Sequence, residues 1–260
     1  MSASCGSKVN ATGDAGEAGI EDSPLDLGLD SAADSPADAG VDQSLDSGMC
    51  NGPKLQGVIA WWKGENNLLD ETGSVALAGS AAYAVAKVGK GIDLSTNSLK
   101  GTASPGLDGL TAVTIEGWLY VRTDNRVVAT RRFNTGYQFE VAGLYLAFAV
   151  NCGASACTGN SVNAITLNAF YHVAVTYDSK LNAKAMQFYI NGVPAGLVNG
   201  SGNGAGTIPN DMATIYVGSI QTGMAPFFDG IIDELAIYNR VLTPAEIASI
   251  YTAGSTGKCK

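Results

Sequence analysis

The chain is short of the residues that many enzymes and nucleic-acid binders depend on. It holds one histidine in 260 residues, His172, and 15 Lys and Arg stand against 24 Asp and Glu, a formal charge of −9. Without a basic cluster there is no electrostatic footprint for nucleic acid or for an anionic membrane. No G-x-S-x-G elbow accompanies the histidine, so a Ser–His–Asp hydrolase has no support, and His172 reads as a polar strand residue. Paired C-x-x-C units are missing, which with a single histidine argues against zinc. No stretch reaches the eighteen or so apolar residues that a transmembrane helix needs. Before Thr243 there is no amphipathic helical run either, which leaves a chain of strands and turns.

The charge is unevenly placed. Residues 1–50 carry ten acidic residues and one lysine, and the remainder carries fourteen of each sign, so the excess belongs to the N-terminal fifth. Within it Asp22, Asp26, Asp30, Asp34, Asp38, Asp42 and Asp46 recur every fourth residue. Like charges at i, i+4 repel, and Pro24, Pro36, Gly28, Gly40 and Gly48 interrupt any helix, so the pattern predicts a disordered acidic linker. The aspartates lack the clustered spacing and turn glycine of a calcium loop. Residues 51–260 are long enough for one sizeable core and are expected to form one domain.

That domain reads as all-β. Strand patterns fall at 57–63, 113–121, 127–130, 137–141, 144–150, 171–177, 185–190, 214–219 and 231–239, separated by short turns. Asn191-Gly192 between two apolar runs is a hairpin turn, because both residues tolerate positive φ. Trp61 and Trp62 are neighbours and must point to opposite faces. At the end, a strand through Asn239 leads into Thr243-Pro244-Ala245-Glu246, which predicts a capping box and a short helix.

These strings, taken in order, resemble a known family. VIAWWKGENNLLDETG, VTIEGWLYV, FYHVAVTYD, FYINGVPAG and the closing FDGIIDELAIYNRVLTPAEI are similar to successive segments of laminin-G-like, concanavalin A-type jelly-roll domains. The resemblance covers nearly all of residues 55–254 and implies a two-sheet antiparallel jelly-roll sandwich with a short C-terminal helix. Relatives of this fold include glucanases, whose carboxylates alternate on one strand as E-x-D-x-x-E. No such string occurs here. Asp233 and Glu234 are adjacent and are expected on opposite faces of their strand, so the chain reads as a non-catalytic module that binds a carbohydrate or protein partner. A structural or adhesion module of a cell envelope is the alternative, with a glycoside hydrolase behind it.

Two ligand-binding clusters are expected. Glu116, Trp118 and Tyr120 share a strand face and could form a sugar platform, although Trp118 could equally fill the core. Arg131, Arg132, Asn134 and Tyr137 form a polar loop cluster. The resemblance implies a structural Ca²⁺ between the first loop and the last strand, where Glu65 and Asp233 match and Asn67 could add a turn ligand. It also implies that the chain ends meet, which pairs Cys50 with Cys259 and leaves Cys152 with Cys157 around one short loop. Four cysteines allow three pairings, and paired cysteines imply an oxidising, extracytoplasmic compartment. Cys5 is left over behind Ser2-Ala3-Ser4. It resembles the lipidated cysteine of a bacterial surface lipoprotein, although no apolar signal precedes it, and such an anchor would be the only membrane contact.

Overall fold

The computed structural model describes residues 51–260 apart from 96, 132–135, 152–155, 182–184, 202–207, 211 and 222–223. The aspartate repeat, Cys5, Cys50, Cys152, Arg132 and Asn134 lie outside the described residues. In chain order the strands are β1 (Val58–Trp62), β2 (Leu77–Ala78), β3 (Ala82–Val85), β4 (Lys90–Leu94), β5 (Leu99–Gly101), β6 (Ala112–Val121), β7 (Arg126–Arg131) and β8 (Tyr137–Ala142). They continue as β9 (Tyr145–Asn151), β10 (Ala156–Ala164), β11 (Phe170–Asp178), β12 (Met186–Ile190), β13 (Val193–Pro194), β14 (Val198–Ser201), β15 (Ile215–Val217) and β16 (Gly230–Tyr238), followed by the helix α1 (Pro244–Ala253).

Two antiparallel sheets form a jelly-roll sandwich. The first runs β13-β12-β11-β6-β16-β4-β3 with β1 also on β16, and the second runs β14-β10-β9-β8-β7-β15-β5-β2. Alternation along each strand fills the space between them. Val173, Val175 and Tyr177 of β11 meet Ile115 and Leu119 of β6, Ile232 and Ile237 of β16, and Phe139, Phe148 and Val150 from the opposite sheet. This period-2 pattern is what makes a half-buried strand legible.

A second apolar cluster lies on the outer face of the first sheet. Trp61, Ala174, Tyr189, Ala236 and Tyr238 pack there against Leu242, Ile247 and Ile250. The two tryptophans therefore part as expected: Trp62 enters the inter-sheet core and Trp61 is buried under the C-terminal segment. Helix α1 starts as its sequence dictates, with Thr243 accepting from the Glu246 amide and the Glu246 side chain accepting from the Thr243 amide. Arg240 then forks onto Glu246 with distances of 2.9 and 2.7 Å, fixing the angle at which the chain leaves β16. The helix rests on the β12–β13 turn, where Asn191 and Gly192 have φ of 51° and 78°. A Cβ on Gly192 would lie 2.9 Å from that of Tyr251, so glycine is required for the approach as well as for the turn.

One irregularity changes the carboxylate geometry. Between Asp233, opposite Trp118, and Ala236, opposite Glu116, β16 carries a bulge with Glu234 at φ 57°. Leu235 still enters the core. Asp233 and Glu234 are both directed to the outer face, contrary to simple alternation, because a bulge re-aims the side chains around it.

Candidate functional site

The outer face of the first sheet holds Glu116 and Trp118, but neither faces solvent: they are 0% and 3% exposed. Glu116 accepts hydrogen bonds from Lys258 Nζ at 2.8 Å and Tyr238 Oη at 3.2 Å, and lies 3.0 Å from His172 Nε2. Lys258 also donates to the Glu234 carbonyl at 2.7 Å, and Trp61 Nε1 donates to Glu234 Oε2 at 2.8 Å. Burial pushes the Glu116 carboxyl up, but the Lys258 ammonium and the His172 hydrogen bond outweigh it and hold it below the ordinary range. Glu234 is raised by burial, with Lys258 opposing. Trp118 meets His172 edge-on at 5.3 Å and Tyr251 at 5.7 Å, under the Lys87 ammonium. The space expected for a sugar on Glu116 and Trp118 is filled by the chain's own C-terminal residues. Tyr120 is half-buried against Phe170, with Arg122 over its ring and forked onto Asp93.

The loop cluster is not a surface cluster in its described members. Arg131 and Tyr137 are cross-strand partners, and both are buried. Arg131 pairs with Asp108 and donates to the Pro209 carbonyl, and Tyr137 lies alongside Phe148 with burial raising its phenol. Two residues that read as a polar loop are in fact the end of β7 and the start of β8, turned inward.

Glu65 and Asp233 do converge, on the turn between β3 and β4. The Val88 amide donates to Asp233 Oδ2 at 2.8 Å, and the Lys90 amide donates to both oxygens of Glu65 at 3.2 and 3.1 Å. Asn67 does not join them, since its side chain bridges the Glu65 carbonyl and the Leu69 amide within its own loop. Asp233 Oδ1 is buried and has no hydrogen-bond partner among the described residues. Burial, with Glu234 and Glu65 nearby, raises its carboxyl to about 8. That bare oxygen is the one atom here that a cation would satisfy. The donor set is thin, for no group of three or more His, Cys, Asp or Glu is arranged around one point among the described residues. Asp70 is committed elsewhere: it accepts from the amides of Trp61, Thr72, Ser74 and Val75 and shapes the first loop.

The outer face of the second sheet has a different character. Register places Ala78, Lys100, Tyr216, Thr130, Gln138, Ala149 and Thr158 in one row across it. Beside this row run Val127, Glu140, Ala147, Asn160 and Val198. Lys100 is exposed, and Tyr216, Gln138, Glu140, Ala149, Thr158 and Asn160 are half-buried, so solvent reaches the face on both sides of the buried Thr130, Val127 and Ala147. Gln138 Nε2 donates to Glu140 Oε2 at 2.6 Å. With the amide nitrogen committed to the carboxyl, Gln138 Oε1 is buried without a partner, and Thr130 Oγ1, next in the row, is equally unpartnered among the described residues. Burial raises the Glu140 carboxyl, and the Gln138 amide opposes that rise. Leaving a buried polar atom without a partner costs roughly 1–3 kcal/mol, and here an amide oxygen and a hydroxyl stand side by side in that state. Sequence reasoning missed this set. The alternation of Gln138 and Glu140 with Tyr137, Phe139 and Val141 was available in it, but nothing local says that Thr130 and Tyr216 are their neighbours.

Residues 93–248 match the family model of the concanavalin A-like lectin/glucanases superfamily. No curated protein matches the chain in sequence. Among solved structures, the chain is similar to domain 4 of AbnA, an extracellular arabinanase from Geobacillus stearothermophilus, in complex with arabinotriose. The TM-score is 0.58 at 21% identity, covering 74% of this chain and 97% of that one. The binding domain of Paraclostridial Mosquitocidal Protein 1 gives a TM-score of 0.60 at 13% identity, covering 76% and 52%. The ligand-binding domain of botulinum neurotoxin serotype D, in complex with N-acetylneuraminic acid, gives 0.58 at 13%, covering 76% and 51%. The chain thus spans about half the length of these toxin domains, and the likeness does not locate their ligands on it. The match over 93–248, together with the two-sheet sandwich, establishes that the chain belongs to the concanavalin A-like lectin/glucanases superfamily.

Proposed function

We propose that this domain is a non-catalytic carbohydrate-binding module whose site is the outer face of the second sheet, centred on Thr130, Gln138 and Glu140. The observation that carries the reading is the buried Gln138 oxygen and Thr130 hydroxyl, unpartnered among the described residues, beside the half-buried Glu140 on a face whose other residues solvent reaches. Sugar hydroxyls are donors of matching size, and the Tyr216 ring in the same row offers a surface for a sugar's C–H face. The structural relatives that bind arabinotriose and N-acetylneuraminic acid support a carbohydrate ligand at the level of the fold. Hydrolysis finds less support, because a glycosidase works with two carboxyl groups and Glu140 is the only one in the two described rows. Cys157 and Cys259 each take part in a disulfide, which supports an extracytoplasmic setting. The test is a glycan array with the full chain, repeated with Gln138→Leu. Binding that is lost in this variant at unchanged melting temperature supports the face, and binding that survives undiminished places the site elsewhere.

A further inference from the structure

The chemistry of the same face narrows the class of carbohydrate it can take, provided that this face is the binding site. At its centre the atoms without a partner among the described residues are one amide acceptor and one hydroxyl that can accept or donate. Gln138 has turned its donor to Glu140, which leaves Oε1, and Thr130 contributes Oγ1. Glu140 is the only carboxylate in the two rows, and the one cation of the long row, Lys100, stands at its edge next to β2. Two strands lie between Lys100 and Gln138, which puts them roughly 14 Å apart at the usual strand spacing. A carboxylate, sulfate or phosphate laid over the centre would therefore meet the Gln138 oxygen and the like charge of Glu140.

Spacing adds a second constraint. The row from Lys100 to Thr158 crosses six strands, about 24 Å, with small side chains such as Ala149 in its floor and the Tyr216 ring near one end. That length suits several sugar units laid across the strands rather than one.

We infer that this face selects neutral oligosaccharides of several units over acidic ones, with Glu140 as the residue that excludes the acid, the Gln138 oxygen accepting from sugar hydroxyls and the Thr130 hydroxyl accepting from or donating to them. Of the two ligands held by the structural relatives, the neutral arabinotriose is the kind that fits, and N-acetylneuraminic acid is the kind that does not.

The test uses the full chain on matched pairs that differ in the acid group: sialyllactose with its neutral methyl ester, and galactotriose with trigalacturonic acid, alongside neutral arabino- and xylo-oligosaccharides of one to five units. Binding is read by titration calorimetry. Expected are binding to at least one neutral series that strengthens with chain length, at least tenfold weaker binding to the acidic member of a pair, and a reduction of that ratio by about tenfold in Glu140→Gln. Because Glu140→Gln keeps the shape, its effect on the acid-to-neutral ratio separates charge exclusion from a merely structural role. An acidic member that binds as well as its neutral partner, or a ratio that Glu140→Gln leaves unchanged, overturns the inference while the site stands. Binding that Gln138→Leu and Thr130→Val leave intact, or no binding to any series, overturns the site itself.

Discussion

Asp233→Asn tests how the bulge in β16 is balanced. The carboxyl of Asp233 is fully buried, holds the Val88 amide through Oδ2, and leaves Oδ1 without a partner among the described residues. Burial, with the negative neighbours Glu234 and Glu65, lifts it from 3.8 to about 8. The native state therefore keeps a proton that the unfolded chain releases above about pH 4. Stability is fully present below that pH, falls as the pH rises, and is lost once it passes about 8. At 1.36 kcal/mol per pH unit over roughly four units, the change is at most about 5 kcal/mol, a large fraction of a domain's stability. Asparagine reproduces the neutral acid: it still accepts from Val88, has the same shape, and cannot ionise. Urea unfolding of the full chain at pH 5, 7 and 9 should find the variant within about 1–2 kcal/mol of the parent at pH 5 and more stable by several at pH 9. Other titrating groups are common to both proteins and cancel in the difference. Parallel curves from pH 5 to 9 would refute the reasoning. The same experiment examines the proposed calcium: an ion on Oδ1 favours the ionised form, so millimolar Ca²⁺ should shrink the parent's loss at high pH and leave Asp233→Asn unmoved. Identical parent curves in Ca²⁺ and EDTA remove the ion from Asp233.

The remaining predictions are more direct. Lys258→Met leaves Glu116 and Glu234 buried without their cation and should cost about 3–5 kcal/mol in urea unfolding, partly recovered in the double variant with Glu116→Gln; a loss under about 1 kcal/mol would show that the network is not held by Lys258. Thr243→Ala removes a cap on α1 and should cost about 1 kcal/mol, with no change in the β-sheet circular dichroism. Non-reducing peptide mapping should link Cys259 to Cys50 and Cys157 to Cys152; a peptide joining Cys50 to Cys157 would reject that pairing. Intact-mass analysis of the chain expressed with its native upstream sequence should find Cys5 lipidated, and an unmodified thiol there would remove the anchor.

Much of the sandwich was legible because its core strands are strict in their alternation, as in Val173, Val175 and Tyr177, and because Asn191-Gly192 and Thr243-Pro244 carry their own local chemistry. The strands that escaped notice, β2 to β5, β10, β13 and β14, are short or built of Gly, Ala, Ser and Asn, so periodicity had little to grip. The site was less legible, for two physical reasons. Whether Trp118 is a platform or is covered depends on a helix more than a hundred residues later, and Lys258, which closes over Glu116, gives no local sign of it. The Asp233–Glu234 bulge reverses the face assignment that alternation alone supplies, since one residue at positive φ suffices to break the period.

The meeting of Lys54 and Cys259 in a parallel bridge, with the Cys259 amide donating to the Pro53 carbonyl, has a mechanical consequence. Tension that enters through the segment before Pro53 and leaves through the last residues acts on two points a few ångströms apart. It loads that bridge and the buried Lys258 ammonium first, and is not transmitted along the strands of either sheet. Tension applied between the two ends would thus strain this bridge before it distorted the row from Lys100 to Thr158.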